Sequence, residues 1–210
     1  MGQGSYVICE YDSVQAENSV FQRALGALDL QVIGKCNADW SPKSFNARKT
    51  LSPDNISYGR TTILPELFDD HNGTVMAHWR QLFTTAGHQT IIAGNGAGNT
   101  LPEDFKIAWA GLAFPNKQQH ITEIKWQIGD RKYGRINIEE IKSYNKPALI
   151  FEEGFLINEE ESFDLYGYVE GPIPSDNTFI TGLYQRIVML GAAYFSVVSK
   201  VLGNCGAAIT

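Results

Sequence analysis

From residue 105 onward, apolar and polar positions along the chain alternate with a period of two, interrupted by turn residues at short intervals. In Phe163–Val169, the residues Phe163, Leu165, Gly167 and Val169 fall on one side of an extended chain, and Asp164, Tyr166 and Tyr168 on the other. That pattern predicts a half-buried strand. Gln185–Val198 differs, because from Ile187 both alternating sets are apolar. Such a strand is either covered on both faces within its own chain or meets another molecule on its outer face. The same pattern predicts strands at 88–93, 105–113, 121–128, 133–138, 148–151, 155–157, 162–169 and 184–198. Turn signals separate them at Pro115-Asn116, Gly129-Asp130, Asn145-Lys146-Pro147 and from Gly171-Pro172 to Asp176-Asn177.

The first third is less regular. Val20, Phe21, Ala24, Leu25 and Leu28 recur at helical spacing, but Gly26 interrupts them, and Leu30–Ile33 reads equally well as a strand. From Cys36 to Asn72, Trp40, Phe45, Tyr58 and Phe68 are scattered among Ser, Asn, Asp, Pro42, Pro53 and Pro65, which predicts long loops joining short strands such as 61–64. Val75, Met76, Trp79, Leu82 and Phe83 give the best helical pattern in the chain, with Thr74 as N-cap and Gly87 at the end. The whole predicts an all-β, antiparallel sandwich or barrel with long loops and one short inserted helix, as a single domain over 1–210 without internal repeats.

Composition narrows the function. The 210 residues are 43% hydrophobic and 19% charged, enough for a sizeable core, and the net charge of −6 argues against a protein that neutralises many phosphates. Cys9, Cys36 and Cys205 form no Cys-x-x-Cys unit and read as isolated thiols in a reducing compartment. The N-terminus shows no basic segment followed by an apolar one, so a cytosolic product is expected. Gly2 stands where myristoylation would occur, but position 6 is Tyr and the Ser falls one place early, at Ser5.

Candidate chemistry is sparse. Gly94-Asn95-Gly96-Ala97-Gly98 follows an apolar strand, yet it lacks both the P-loop pattern and the third glycine of a dinucleotide fingerprint, and reads as a flexible surface loop. Asp69, Asp70 and His71 could offer metal ligands. His71, His78, His88 and His120, however, give no paired spacing on one element. The acidic runs Glu139-Glu140, Glu152-Glu153 and Glu159-Glu160-Glu161 read as solvated strand ends and edge charges rather than opposed glycosidase carboxylates. No nucleophile elbow is present. Trp40, Trp79, Trp109 and Trp126 raise a sugar-stacking platform, although Trp109 and Trp126 are in step with core positions. The uncharged run Ile187–Ser199, bracketed by Arg186 and Lys200, is shorter than the roughly 20 residues of a spanning helix and reads as a buried strand. No catalytic, cofactor-binding or metal residue is assigned, no cofactor is expected, and the chain is read as a non-enzyme.

The second half, about Phe105 to Val198, resembles the single jelly-roll major capsid proteins of icosahedral double-stranded DNA viruses, especially those with an internal membrane. The resemblance rests on the succession Ile121–Gly129, Tyr133–Ile138, Pro147–Ile157, Ser162–Val169 and Tyr184–Phe195. It implies a jelly roll of about eight strands that stands upright in the shell and forms pseudo-hexameric capsomers. It also implies outward or contact loops at 36–72 and 94–104, and terminal arms at 1–19 and 199–210 that clamp neighbours or an internal membrane. Its partners would be copies of itself and other capsid proteins, without direct nucleic acid, and its place the virion after synthesis in the host cytoplasm. A carbohydrate-binding sandwich and a jelly-roll glycoside hydrolase are the alternatives.

Overall fold

The structure, a computed structural model, describes residues 5–15, 19–40, 47–50, 63–116, 119–141, 144–173 and 182–196, with 15, 47–50 and 140 described for the backbone alone. In chain order the elements are β1 (Tyr6–Glu10), α1 (Tyr11–Gln15), α2 (Ser19–Asp39), β2 (Ala47–Thr50), β3 (Phe68–Asp69), β4 (Arg80–Phe83) and β5 (Gly87–Gly94). There follow β6 (Phe105–Ala113), β7 (Ile121–Ile128), β8 (Arg131–Lys132), β9 (Ile136–Asn137), β10 (Pro147–Ile157), β11 (Phe163–Val169), β12 (Leu183–Arg186) and β13 (Val188–Ser196).

The first sheet has the order β1-β10-β6-β13-β2 and the second β3-β5-β11-β7-β8, with β9 also paired to β7. All these pairings are antiparallel. The connections β5 to β6, β6 to β7, β10 to β11 and β11 to β13 pass between the sheets. This is jelly-roll order, β2-β13-β6-β10 facing β5-β11-β7-β8. An aromatic layer joins the two: Trp109 of β6 meets Trp126 of β7 and Phe163 of β11 at ring-centre distances of 5.4 and 5.3 Å. Phe151 of β10 lies 5.2 Å from Trp126.

The doubly apolar strand is covered within its own chain. α2 lies on β10, β6 and β13 and turns Phe21, Ala24, Leu25, Leu28, Val32 and Cys36 inward. β6 is buried at every position, and Val188–Tyr194 of β13 likewise. The helix runs through Gly26 and Gly34, which face open space on its outer side. Each glycine costs about 1 kcal/mol against alanine in a helix interior. Burying Phe21, Leu25, Leu28 and Val32, at roughly 1.5–3 kcal/mol each, outweighs that. The strand alternative for Leu30–Ile33 fails for the same reason: only helical spacing puts Val32 inside with Leu28 and Cys36 while Leu30 remains 75% exposed.

The short helix expected at 74–83 is absent. Asp70 Oδ1 accepts from the N–H groups of Asn72 and Thr74, closing a tight turn at Gly73 in place of a helix N-cap. The residues after it then follow a period of two, with Trp79, Gln81 and Phe83 buried, and 80–83 is β4. Of the strand expected at 133–138 only β9 forms, with β8 just before it at 131–132, and 148–151 with 155–157 is one strand, β10, interrupted by a register shift. The segment 184–198 divides at Ile187 into β12, which pairs with β4 in a separate small sheet, and β13. Residues 6–15, expected as part of an arm, form β1 on the edge of the first sheet and α1. The remaining loop 41–46, residues 51–62 (including 61–62 of an expected strand), 197–198 and the arm 199–210 lie outside the described residues.

Two glycines set the close approaches. A Cβ at Gly154, where φ is +64°, would sit 2.2 Å from Leu28 Cδ1, so the helix seats against a backbone without a side chain. At Gly191, φ is +152° and a Cβ would lie 1.9 Å from the Ala108 carbonyl oxygen. Gly191→Ala is therefore expected to lower stability by about 2–4 kcal/mol, combining strain and backbone clash. Urea unfolding measures it, and a loss under 0.5 kcal/mol would contradict the packing described.

Candidate functional site

β6 carries one charged residue, Lys106, and its side chain is 1% exposed. A buried ammonium needs partners. Its Nζ lies 2.9 Å from Glu159 Oε1 and 3.0 Å from Asp39 Oδ2, and 5.2 Å from the centre of the Trp40 ring. Trp40 Nε1 and the Asp104 backbone N–H both donate to Glu159 Oε2, each at 3.1 Å. The C-terminal end of α2 delivers Asp39 and Trp40, and the turn after β10 delivers Glu159. Three separated segments are thus fastened at one point.

The electrostatics keep this cluster ionised. Burial opposes the charge of Lys106, but hydrogen bonds and charge from Glu159 and Asp39 outweigh it and raise its pKa. Burial likewise pushes Glu159 up, and the bonds from Lys106 and Trp40 bring it below the usual carboxylate range. The Lys106 hydrogen bond lowers Asp39 directly. A lysine that serves as nucleophile or base needs the opposite shift. Cys36, on the inner side of α2, is pushed up to about 11 by burial, against the pull of Lys106, so it is a protonated thiol at neutral pH. The arrangement is suited to holding α2 down, not to proton transfer.

Glu159 was expected to be a solvated turn charge and is instead this cluster's centre. Lys106 was not singled out at all, although a lone lysine in an otherwise apolar strand was a readable signal. The other acids fit the edge reading better: Glu152 and Glu153 are exposed, and Glu152 accepts from Ser5. Glu160 is exposed, Glu161 accepts from Asn158 within the turn, and Glu139 is exposed. The Glu140 side chain lies outside the described residues.

The glycine run is a tied turn. Gly96 N–H donates to the Thr100 carbonyl and Asn99 N–H to the Gly96 carbonyl, so these donors are used within the loop. The Asn99 side chain donates to Asp164 at 2.6 Å, which fastens the loop to β11. Asp70 is used by its own turn, and His71 Nδ1 lies 3.1 Å from Gln81 Oε1. His78 and His88 are exposed, and His120 is half-buried. Among the described residues, no three His, Cys, Asp or Glu side chains converge as metal ligands. Trp40, Trp79, Trp109 and Trp126 are all buried and form no stacking platform. Cys9 and Cys36 are free thiols, and Cys205 lies outside the described residues.

The second sheet keeps its outer face open, and the strand register fixes what it shows. Asp164, Gln127 and Lys132 stand in one row, Tyr166 and Lys125 in the next, and Tyr168 and Glu123 beyond. Lys125, Gln127, Lys132, Tyr133 and Tyr166, with an edge of Trp126, line a shallow depression of about 200 Å³.

Lys106→Met is expected to cost about 1–3 kcal/mol, since it leaves two carboxylates without their cation. The pH dependence follows from the shifts. The contribution of Glu159 and Asp39 is full above their ordinary values near ~4 and is lost as pH falls through their lower folded values. That of Lys106 is full below its ordinary ~10.4 and is lost as pH rises through its raised folded value. Urea titrations of both proteins should show a constant gap between pH ~5 and ~9 that narrows below pH ~4; a gap unchanged at pH ~3 would contradict the cluster's role.

Comparison with protein-family models, with curated proteins and with solved structures finds no match for this chain, so its function rests on the fold and on these sites.

Proposed function

We propose that this chain is a self-associating shell subunit, a single jelly-roll capsid protein of the kind that builds icosahedral double-stranded DNA viruses. The observation that carries the reading is the strand order β2-β13-β6-β10 facing β5-β11-β7-β8, an arrangement used by capsid domains as well as by lectins and cupins. The pattern resemblance over Phe105–Val198 favours the first of these. A net charge of −6 suits a shell that does not grip the genome, and the Lys106 cluster favours a structural over a catalytic role.

The fold also moves the expected contacts. The outer face of β13 is buried within the chain, with α2 over β10 and β6 and touching β13, so association falls to other surfaces: the end of β11 at Tyr168, and exposed Tyr6, Tyr144 and Tyr184. Copies of the same chain and other capsid proteins are the partners in this reading, the virion is its location, and an internal membrane is contacted through the terminal arms. Among the described residues no helix is long and apolar enough to cross a membrane.

The test is the size of the purified chain by light scattering and negative-stain microscopy across salt, pH and added virion components. Closed particles or regular capsomers are expected. A protein that stays monomeric under every condition would overturn the proposal.

A further inference from the structure

The depression on the second sheet is built from a particular set of groups. Lys125 and Tyr166 are directly opposed across β7 and β11, and Gln127 and Lys132 across β7 and β8. Lys125 Nζ lies 5.7 Å from the centre of the Tyr166 ring. Neither Lys125 nor Lys132 forms an ion pair among the described residues, whereas Lys106, Lys146 and Arg135 do. Two uncompensated ammonium groups in one concavity are notable in a chain of net charge −6. Gln127 donates its Nε2 to the Gly129 carbonyl, which leaves Oε1 as an acceptor. The Tyr133 ring stacks on Trp126 at 5.9 Å with 17° between planes, which holds it in place at the rim.

The nearby acids are already engaged. Glu123 pairs with Arg135 at 3.3 Å, and Asp164 accepts from Asn99. Asp164 also takes the Tyr166 hydroxyl, and burial followed by the Asp164 charge raises the Tyr166 pKa, so the ring stays a neutral phenol. The volume of about 200 Å³ is below the roughly 300–1,000 Å³ of sites for drug-sized ligands. It admits one ring with its substituents and no larger cofactor.

We propose that Lys125, Lys132, Gln127, Tyr133 and Tyr166 form a binding site for a single anionic sugar unit, a pyranose carrying a carboxylate or sulfate. The ammonium groups take the anion, a tyrosine ring takes the apolar face of the pyranose, and Gln127 Oε1 accepts from a ring hydroxyl. The site belongs to the single chain, so it stands apart from assembly. If copies do assemble, weak binding at each is multiplied by repetition.

Saturation-transfer NMR with the full-length chain tests this, using glucuronate, glucose 6-sulfate and uncharged methyl glucoside as probes and inorganic sulfate as a competitor of glucose 6-sulfate. Glucuronate and glucose 6-sulfate are expected to bind in the millimolar range, with methyl glucoside binding, and sulfate displacing glucose 6-sulfate, about tenfold more weakly. Lys125→Gln and Lys132→Gln should each weaken the charged sugars about fivefold, with unchanged circular dichroism, and Lys35→Gln on α2 should change nothing. Absence of binding, equal binding of methyl glucoside, sulfate binding as strong as the sulfated sugar, or indifference to both lysine changes would overturn the proposal.

Discussion

α2 lies across β6 and β10, whose inner faces are already occupied by the aromatic layer between the sheets, and touches β13 beside them. Without the helix, this sheet would expose the outer apolar set of β6 and β10 to water. At about 25 cal/mol per Å² of apolar surface, a face of a few hundred Å² corresponds to several kcal/mol, a large part of a domain's net stability. The helix is therefore part of the core, although it precedes all but one strand in the chain. Its glycines mark its two environments: Gly26 and Gly34 are free of contact on the outside, and Gly154 beneath removes the side chain that would keep Leu28 away.

The Lys106 cluster belongs to the same requirement. A helix held by apolar contact alone can slide or rotate at modest cost, because such contact is non-directional. An ammonium that must meet both Asp39 and Glu159, with Trp40 over it, has few positions that satisfy every group. The cluster fixes register where the hydrophobic stripe supplies only attraction. Tyr194 adds a second such point from β13, donating to Asp29 on the helix at 2.5 Å.

Much of this was legible in the chain, and the failures have physical causes. Period-two alternation placed β6 and β7 at their observed bounds and assigned the inward side of β11, since a strand's faces are set by its own residues. Gly26 hid α2, because a glycine on a helix's outer side costs little once the opposite side is buried. At 74–83 the positions Trp79 and Phe83 fit both a helical and an alternating reading, Met76 fits only the helical one, and the Asp70 turn decided between them. The Lys106 cluster joins residues 39, 106 and 159, and no local pattern brings such distant positions together. The depression on the second sheet likewise depends on register across three strands, which sequence spacing does not give.

The central claim is that the doubly apolar strands are covered by their own chain and not by a neighbour. Cys36 reports on it directly, since it is fully buried on the inner side of α2, whereas Cys9 is only half-buried. Maleimide labelling of dilute protein, resolved by peptide mass spectrometry, should find Cys36 protected at every protein concentration and labelled only on unfolding. Cys36 that labels freely in dilute solution and becomes protected only on association would show that a neighbour supplies the cover, and would contradict the account.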